Sequence, residues 1–230
     1  MKPEWEIAKD EFLKRLRTSE DELERLLRLP RLTEITRIVP LRHIKFVESV
    51  VPISKDLLAC VISKMTTLDG TPVFTEAETQ LCKIDPNYLR IGQRFVYREN
   101  YQSLLEELPS LLSHFLISTG INDVGAYFIF GTDRDGLEAM ACYLPPLVEE
   151  HSFGLVVMDG IHRSYLTKQM GATMYAILIT NVGAPFPCAA KSWGEARVIS
   201  LTDKPKEIRD RYFDLNKGLF RDLKYLGIDG

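Results

Sequence analysis

The sequence predicts an α+β fold built on a mixed sheet, with a helical N-terminal extension and a helical C-terminal tail. Three observations carry that expectation. Residues 153–180 read as a tight strand–helix–strand unit, residues 126–143 read as a hairpin, and the stretches 4–29 and 206–226 carry charged, amphipathic patterns at helical spacing.

Residues 153–180 organise the chain. Leu155, Val156, Val157 and Met158 have the length and β-branching of a buried strand. Asp159 and Gly160 break it, a short helix follows, and Gly171 stands where a residue past a helix end usually stands. Residues 173–180 are a second β-rich run. This arrangement brings a helix N-terminus out at the end of a buried strand, with Asp159, His162 and Arg163 at the junction. The first amides of a helix lack intrahelical partners and carry the positive end of its dipole. Gly160 lets a ligand approach the backbone, His162 and Arg163 add donors from an exposed loop, and Asp159 caps the helix through its carboxylate. Together they make a phosphate cradle. The same residues also make an ordinary capped turn with a surface arginine and a satisfied histidine.

Composition bounds the alternatives. At 230 residues the chain holds one large domain or one domain with a substantial extension, and 45% hydrophobic with 27% charged residues suits a globular protein. A net charge of −3 supplies no global basic field of the kind that drives non-specific nucleic-acid binding. Cys60, Cys82, Cys142 and Cys188 are widely spaced, without metal-like clustering, and read as free thiols of a reducing compartment. Residues 1–7 are charged rather than apolar, and no apolar run approaches the ~20 residues needed to cross a bilayer. The expectation is a cytoplasmic protein with no membrane partner.

Along the chain, Phe12, Leu16, Leu23, Leu26 and Leu27 form a narrow stripe, Ser19 with Glu22 makes a capping box, and Pro30 stops the second helix. Interleaved acids and bases make this a solvated pair, an appendage packed on the outside of a domain or against another subunit. Residues 35–39 and 42–51 read as strands. Ser54 caps a helix carrying Leu57, Leu58, Val61, Ile62 and Met65, and residues 68–71 turn. Thr75 with Glu78 predicts a short helix limited by Pro86. A helix begins near Asn100 and carries Leu104, Leu105 and Leu108, and an apolar stripe continues over 111–116. The hairpin 126–143 turns through 131–136, residues 144–154 lead hairpin-like into the organising strand, and 195–200 is a short β segment. The tail 206–226 is an amphipathic helix with Ile208, Tyr212, Phe213, Leu215, Phe220 and Leu223 inward, packed on the core or presented to a protein partner or second copy.

The run Val157, Met158, Asp159, Gly160, Ile161, His162, Arg163, followed by a short helix, Gly171 and a β run, resembles the D-G-x-H-R signature of the ParB/sulfiredoxin-like superfamily, which includes partition proteins, sulfiredoxins and free-serine kinases. The resemblance implies that this loop holds nucleotide phosphates through Gly160, Ile161, His162, Arg163 and Ser164. Residues 84–94 are similar to the family's first box, which implies ligand contacts from Gln93 and Arg94. The domains that follow are 1–83, a mostly helical extension; 84–185, the ParB/sulfiredoxin-like domain with the 126–143 hairpin inserted; and 186–230, the helical tail. The implied cofactor is a nucleoside tri- or diphosphate with Mg²⁺.

Two departures narrow the activity. Sulfiredoxins place a reactive cysteine where Ile161 stands, so sulfinic-acid reduction is not expected. The stretch after 185 is short for a helix-turn-helix, so partition-type DNA recognition is not expected. Three readings stay open. One is an NTPase or kinase-like phosphotransferase, with Asp159 and His162 catalytic and Glu149 or Glu150 as general base. The second is a nucleotide-switched binding protein. The third is a nuclease-like or DNA-modification-associated protein.

Overall fold

The computed structural model describes residues 7–16, 18–27, 35–102 and 125–222. In chain order the elements are β1 (Ile7–Ala8), α1 (Lys9–Leu16), α2 (Glu20–Leu27), β2 (Arg37–Ile38), β3 (Ile44–Pro52), α3 (Lys55–Ser63), β4 (Glu78–Ile84), β5 (Arg90–Ile91), β6 (Phe95–Tyr97), β7 (Tyr127–Asp133), β8 (Glu138–Tyr143), β9 (Leu147–His151), β10 (Gly154–Asp159), α4 (Ile161–Gln169), β11 (Met174–Thr180) and β12 (Arg197–Ile199). The class is mixed α+β, with two mixed five-stranded sheets and few helices. The chain is helical over 98–102, where a helix was expected to begin near Asn100; the rest of that helix and the stripe over 111–116 lie outside the described residues.

The chain forms two compact units. The first takes the described residues up to Met65, with Gly125–Leu144 and Asp222. Its sheet has the order β1-β2-β8-β7-β3, so the hairpin β7–β8 is central to it. Tyr127 pairs opposite Tyr143, and Gly136, at φ 76°, takes the left-handed turn position that the sequence marked. Asp133 Oδ1 accepts the N–H groups of Asp135 and Leu137, which closes the turn, and Arg37 pairs with Asp133. Ser54 caps α3 by accepting the Leu57 N–H at 3.2 Å. That helix buries Leu57, Leu58, Val61 and Ile62, each contributing roughly 1.5–3 kcal/mol by leaving water. Ser19 accepts the Glu22 N–H at 3.1 Å, as its capping box predicted. Phe12 and Leu23 are fully buried and β1 pairs with β2, so this N-terminal stretch is built into the unit rather than appended to it.

The second unit comprises Thr66 to residue 102 and Pro145–Arg221. Its sheet has the order β4-β11-β9-β10-β5. β9 and β10 form an antiparallel hairpin, and α4 carries the chain across to β11, which pairs in parallel with β9. Val148 therefore sits mid-sheet, opposite both Val157 and Leu178, and the face it shares packs Ile91, Val96, Ile161, Ala176 and Phe213. Glu149 points to the opposite face, as the two-residue period of a strand requires. Between Val157 and Asp159 the register shifts by one residue, a bulge that turns the end of β10.

Two local signals are overridden here. Residues 78–84, expected as a capped helix, form β4, paired along its whole length with β11. A seven-residue ladder with a buried neighbour outweighs one capping box, since β structure is decided by its partners. The tail expected as a helix over 206–226 forms, up to Arg221, only short 3₁₀ turns at Ile208–Arg211 and Lys217–Leu219. Its backbone groups bond outward instead of along a helix. Phe213 N–H donates to Gly92 O at 2.9 Å, Asn216 N–H to Pro187 O at 2.8 Å and Leu68 N–H to Phe220 O at 3.1 Å.

Candidate functional site

The end of β10 delivers Asp159, and α4 starts two residues later. Gly160 is the N-cap, at φ 81° and ψ 30°, and no side chain caps the helix. Asp159, expected as the cap, does not serve as one. A glycine is required here twice over: its φ is left-handed, and a Cβ would stand 2.9 Å from Pro146 Cβ and 3.0 Å from Pro146 Cα. The first turn contains no acid and one base, Arg163, the wrong sign for a helix start, whose dipole favours negative charge.

Arg163 is buried, only 7% exposed, rather than on an exposed loop as its sequence context suggested. Its Nη2 lies 3.7 Å from Asp159 Oδ2, a longer ion pair than a direct hydrogen bond. Asp159 is 21% exposed, yet its Oδ2 is enclosed and accepts no hydrogen bond among the described residues. Burial pushes its carboxyl up, against the opposing pull of Arg163 and the Gly160 N–H. His162 is also buried. Its Nε2 accepts the Tyr97 N–H at 3.1 Å, which assigns the ring proton to Nδ1. Burial, then the charges of Lys204 and Arg163, hold its pKa down at about 4, so it is a neutral donor through Nδ1.

The other expected contacts divide. Ile161 has its side chain in the core and brings only its amide. Ser164 is fully buried, and its hydroxyl donates to Gly160 O at 2.9 Å, bracing the loop from inside. Gln93 pairs through its backbone with Tyr212. Arg94 donates from Nε to Tyr212 O at 2.7 Å and lies 4.9 Å over the Phe213 ring, which fixes its guanidinium against the tail. Glu149 and Glu150, the candidate bases, behave oppositely. Glu150 is exposed, whereas Glu149 is fully buried in a bidentate pair with Arg221 at 3.0 and 2.9 Å and holds His151 Nε2 at 2.7 Å. A carboxylate so completely held is a structural group.

Tyr97, Lys204 and Tyr212 escaped the sequence reading. The Tyr97 ring lies 5.6 Å from the His162 ring, and Lys204 Nζ lies 5.3 Å from the Tyr97 ring. Tyr212 has its phenol pushed up by burial and by the neighbouring charges of Cys188, Asp159 and Tyr97. These groups come from segments far apart in sequence, with no shared motif. Burial pushes the Cys142 and Cys188 thiols up to about 12, far from the thiolate a nucleophile needs.

Among the described residues no three of His, Cys, Asp and Glu are grouped to hold a metal ion. No helix among the described residues is long and apolar enough to cross a membrane. No family model matches the chain, and no curated protein and no solved structure matches it.

Proposed function

We propose that this chain is a nucleotide-binding protein of ParB/sulfiredoxin-like type, in which the loop from Asp159 to Arg163 holds phosphate groups for NTPase or kinase-like phosphoryl transfer. The observation that supports this best is the start of α4: buried, uncapped, opened by a left-handed glycine and carrying Arg163 in its first turn. A phosphate there takes the amides of Ile161 and His162, the Nδ1–H of His162 and the guanidinium of Arg163. It replaces Asp159 as the counter-charge of Arg163. Phosphoryl transfer asks the protein mainly for positioning and charge neutralisation, and these groups provide both. Mg²⁺, brought by the nucleotide, supplies charge screening between the phosphates and Asp159. The four free cysteines support the cytoplasm as its compartment.

Calorimetry with ATP and ADP in the presence of Mg²⁺ tests the binding. Arg163→Lys keeps the charge and loses the fork, and is expected to weaken affinity about tenfold. Equal affinity of the two proteins, or no binding by either, sinks the reading. Release of diphosphate or transfer to an acceptor separates turnover from a binding-only switch.

A further inference from the structure

The two five-stranded sheets end on β1, β3, β4 and β5, and three of these four edges are closed to further pairing. β1 and β5 are two residues long, and Ile91 of β5 exchanges both its backbone bonds with Lys191, at 2.9 Å each. β3 is longer, but its register against β7 shifts twice and it ends on Pro52, which has no N–H to offer. Short, bulged and proline-ended strands are the devices by which folds keep an edge from pairing.

β4 has none of them. Its seven residues pair with β11 in unbroken register, from Glu78 opposite Thr180 to Ile84 opposite Met174, and include neither glycine nor proline. Glu78 and Lys83 stand near its ends, so the run from Thr79 to Cys82 is uncharged. Among the described residues no backbone bond or bridge reaches 78–84 except those to β11. In an antiparallel ladder every second residue then turns an N–H and a C=O outward without a partner. Leu81, at the centre, is 41% exposed, and Glu78, Gln80 and Lys83 are exposed around it.

We propose that this edge is a homodimer surface, where a second copy of the chain adds its own β4 in antiparallel register and joins the two sheets into one. The strand is complementary to itself. A two-fold axis through Leu81 is the only antiparallel register that pairs all seven residues. It sets Leu81 beside Leu81 of the second copy, Gln80 opposite Cys82, Thr79 opposite Lys83 and Glu78 opposite Ile84, so no charge faces its like. The acidic start of each strand lies by the basic end of the other. The same patch serves on both copies, so the contact closes and leaves no open edge for a third. One strand pair is smaller than the roughly 1,600 Å² of a standard interface, so the dimer exchanges with monomer rather than being permanent.

Sedimentation velocity of the whole chain across the micromolar range is expected to show a reversible monomer–dimer equilibrium. Leu81→Lys sets two like charges on the axis and is expected to raise the dissociation constant about tenfold or more. Phe46→Lys, on the β3 edge and at a side chain 64% exposed, is expected to leave it unchanged. Circular dichroism checks that both variants keep the fold. Gln80→Cys reads the register without weakening the contact: it puts a thiol opposite Cys82 of the second copy, and diamide is expected to link the two chains, as it does not in the wild type. A wild type that stays monomeric overturns the proposal. So does a dimer that Leu81→Lys leaves intact, one that Phe46→Lys dissociates, or a Gln80→Cys protein that cross-links no more than the wild type.

Discussion

Glu149 and Asp159 are two acids of one hairpin, on β9 and at the end of β10, and they are treated in opposite ways. Glu149 has both carboxylate oxygens bonded to Arg221 and one also to His151. Arg221 in turn donates from Nη1 to Pro185 O and Leu219 O, at 2.9 and 2.6 Å. Both carboxylate oxygens and all three guanidinium nitrogens have a near partner, and the effect is to fasten the last described residues of the unit to the middle of its sheet. Asp159 has an arginine partner at 3.7 Å, an oxygen with no hydrogen bond among the described residues, and a carboxyl pushed up by burial. Satisfied networks hold a fold together. An under-satisfied one is a cost that the rest of the fold carries.

The largest effect should come from breaking the satisfied network. Glu149→Ala leaves Arg221 buried without its counter-charge and is expected to destabilise the protein by about 3–5 kcal/mol in denaturant titration. Glu149→Leu combined with Arg221→Met should lose less than either single change, because no charge is then stranded. A double variant as unstable as the sum of the singles would contradict a purely structural pair.

His162 yields the next effect. Its pKa is depressed in the folded state, to about 4 from an ordinary 6.5, so the unfolded chain binds the proton more readily. The stability is therefore complete above about pH 6.5 and is lost as the pH falls toward 4, by about 3 kcal/mol in all. His162→Gln keeps an acceptor for the Tyr97 N–H and should flatten that part of the pH–stability curve. A profile that is the same in both proteins would remove His162 as its cause.

Gly160→Ala should cost about 1–3 kcal/mol, from the left-handed φ and the contact with Pro146, and should weaken phosphate binding by moving the α4 amides. The smallest effect has the opposite sign. The Asp159 carboxyl is raised above its unfolded value, so the charged form weakens the fold as the pH rises through that raised pKa, and stability returns as the pH falls below it. Asp159→Asn should hold or slightly raise the melting temperature at neutral pH while impairing any phosphoryl transfer. A clear drop in melting temperature would class Asp159 with Glu149, as a structural acid.

The contrast between the two acids was only half legible in the sequence. Residues 153–180 announce their strand, glycine turn, helix and second strand, and the structure forms all four in place, because each signal is local: β-branching, a glycine that breaks the strand, a glycine after the helix. Ser54, Ser19 and the β7–β8 turn were readable for the same reason. What each acid touches was not. Glu149 looked like a candidate base, but Arg221, distant in sequence, lies on it, and Arg163 looked exposed but is buried.

By itself, then, the chain's order of residues determined its α+β class, the helix caps at Ser19 and Ser54, the β7–β8 turn, and the place where a helix start meets Asp159, His162 and Arg163. Only the tertiary structure decided that 78–84 is a strand, that the tail up to Arg221 is extended with 3₁₀ turns, and that Tyr97 and Lys204 stand beside His162. The physical reason is the range of the forces. Caps, glycine turns and β-branching act within a few residues, whereas strand pairing, desolvation and charge pairing depend on partners that the chain brings together only on folding.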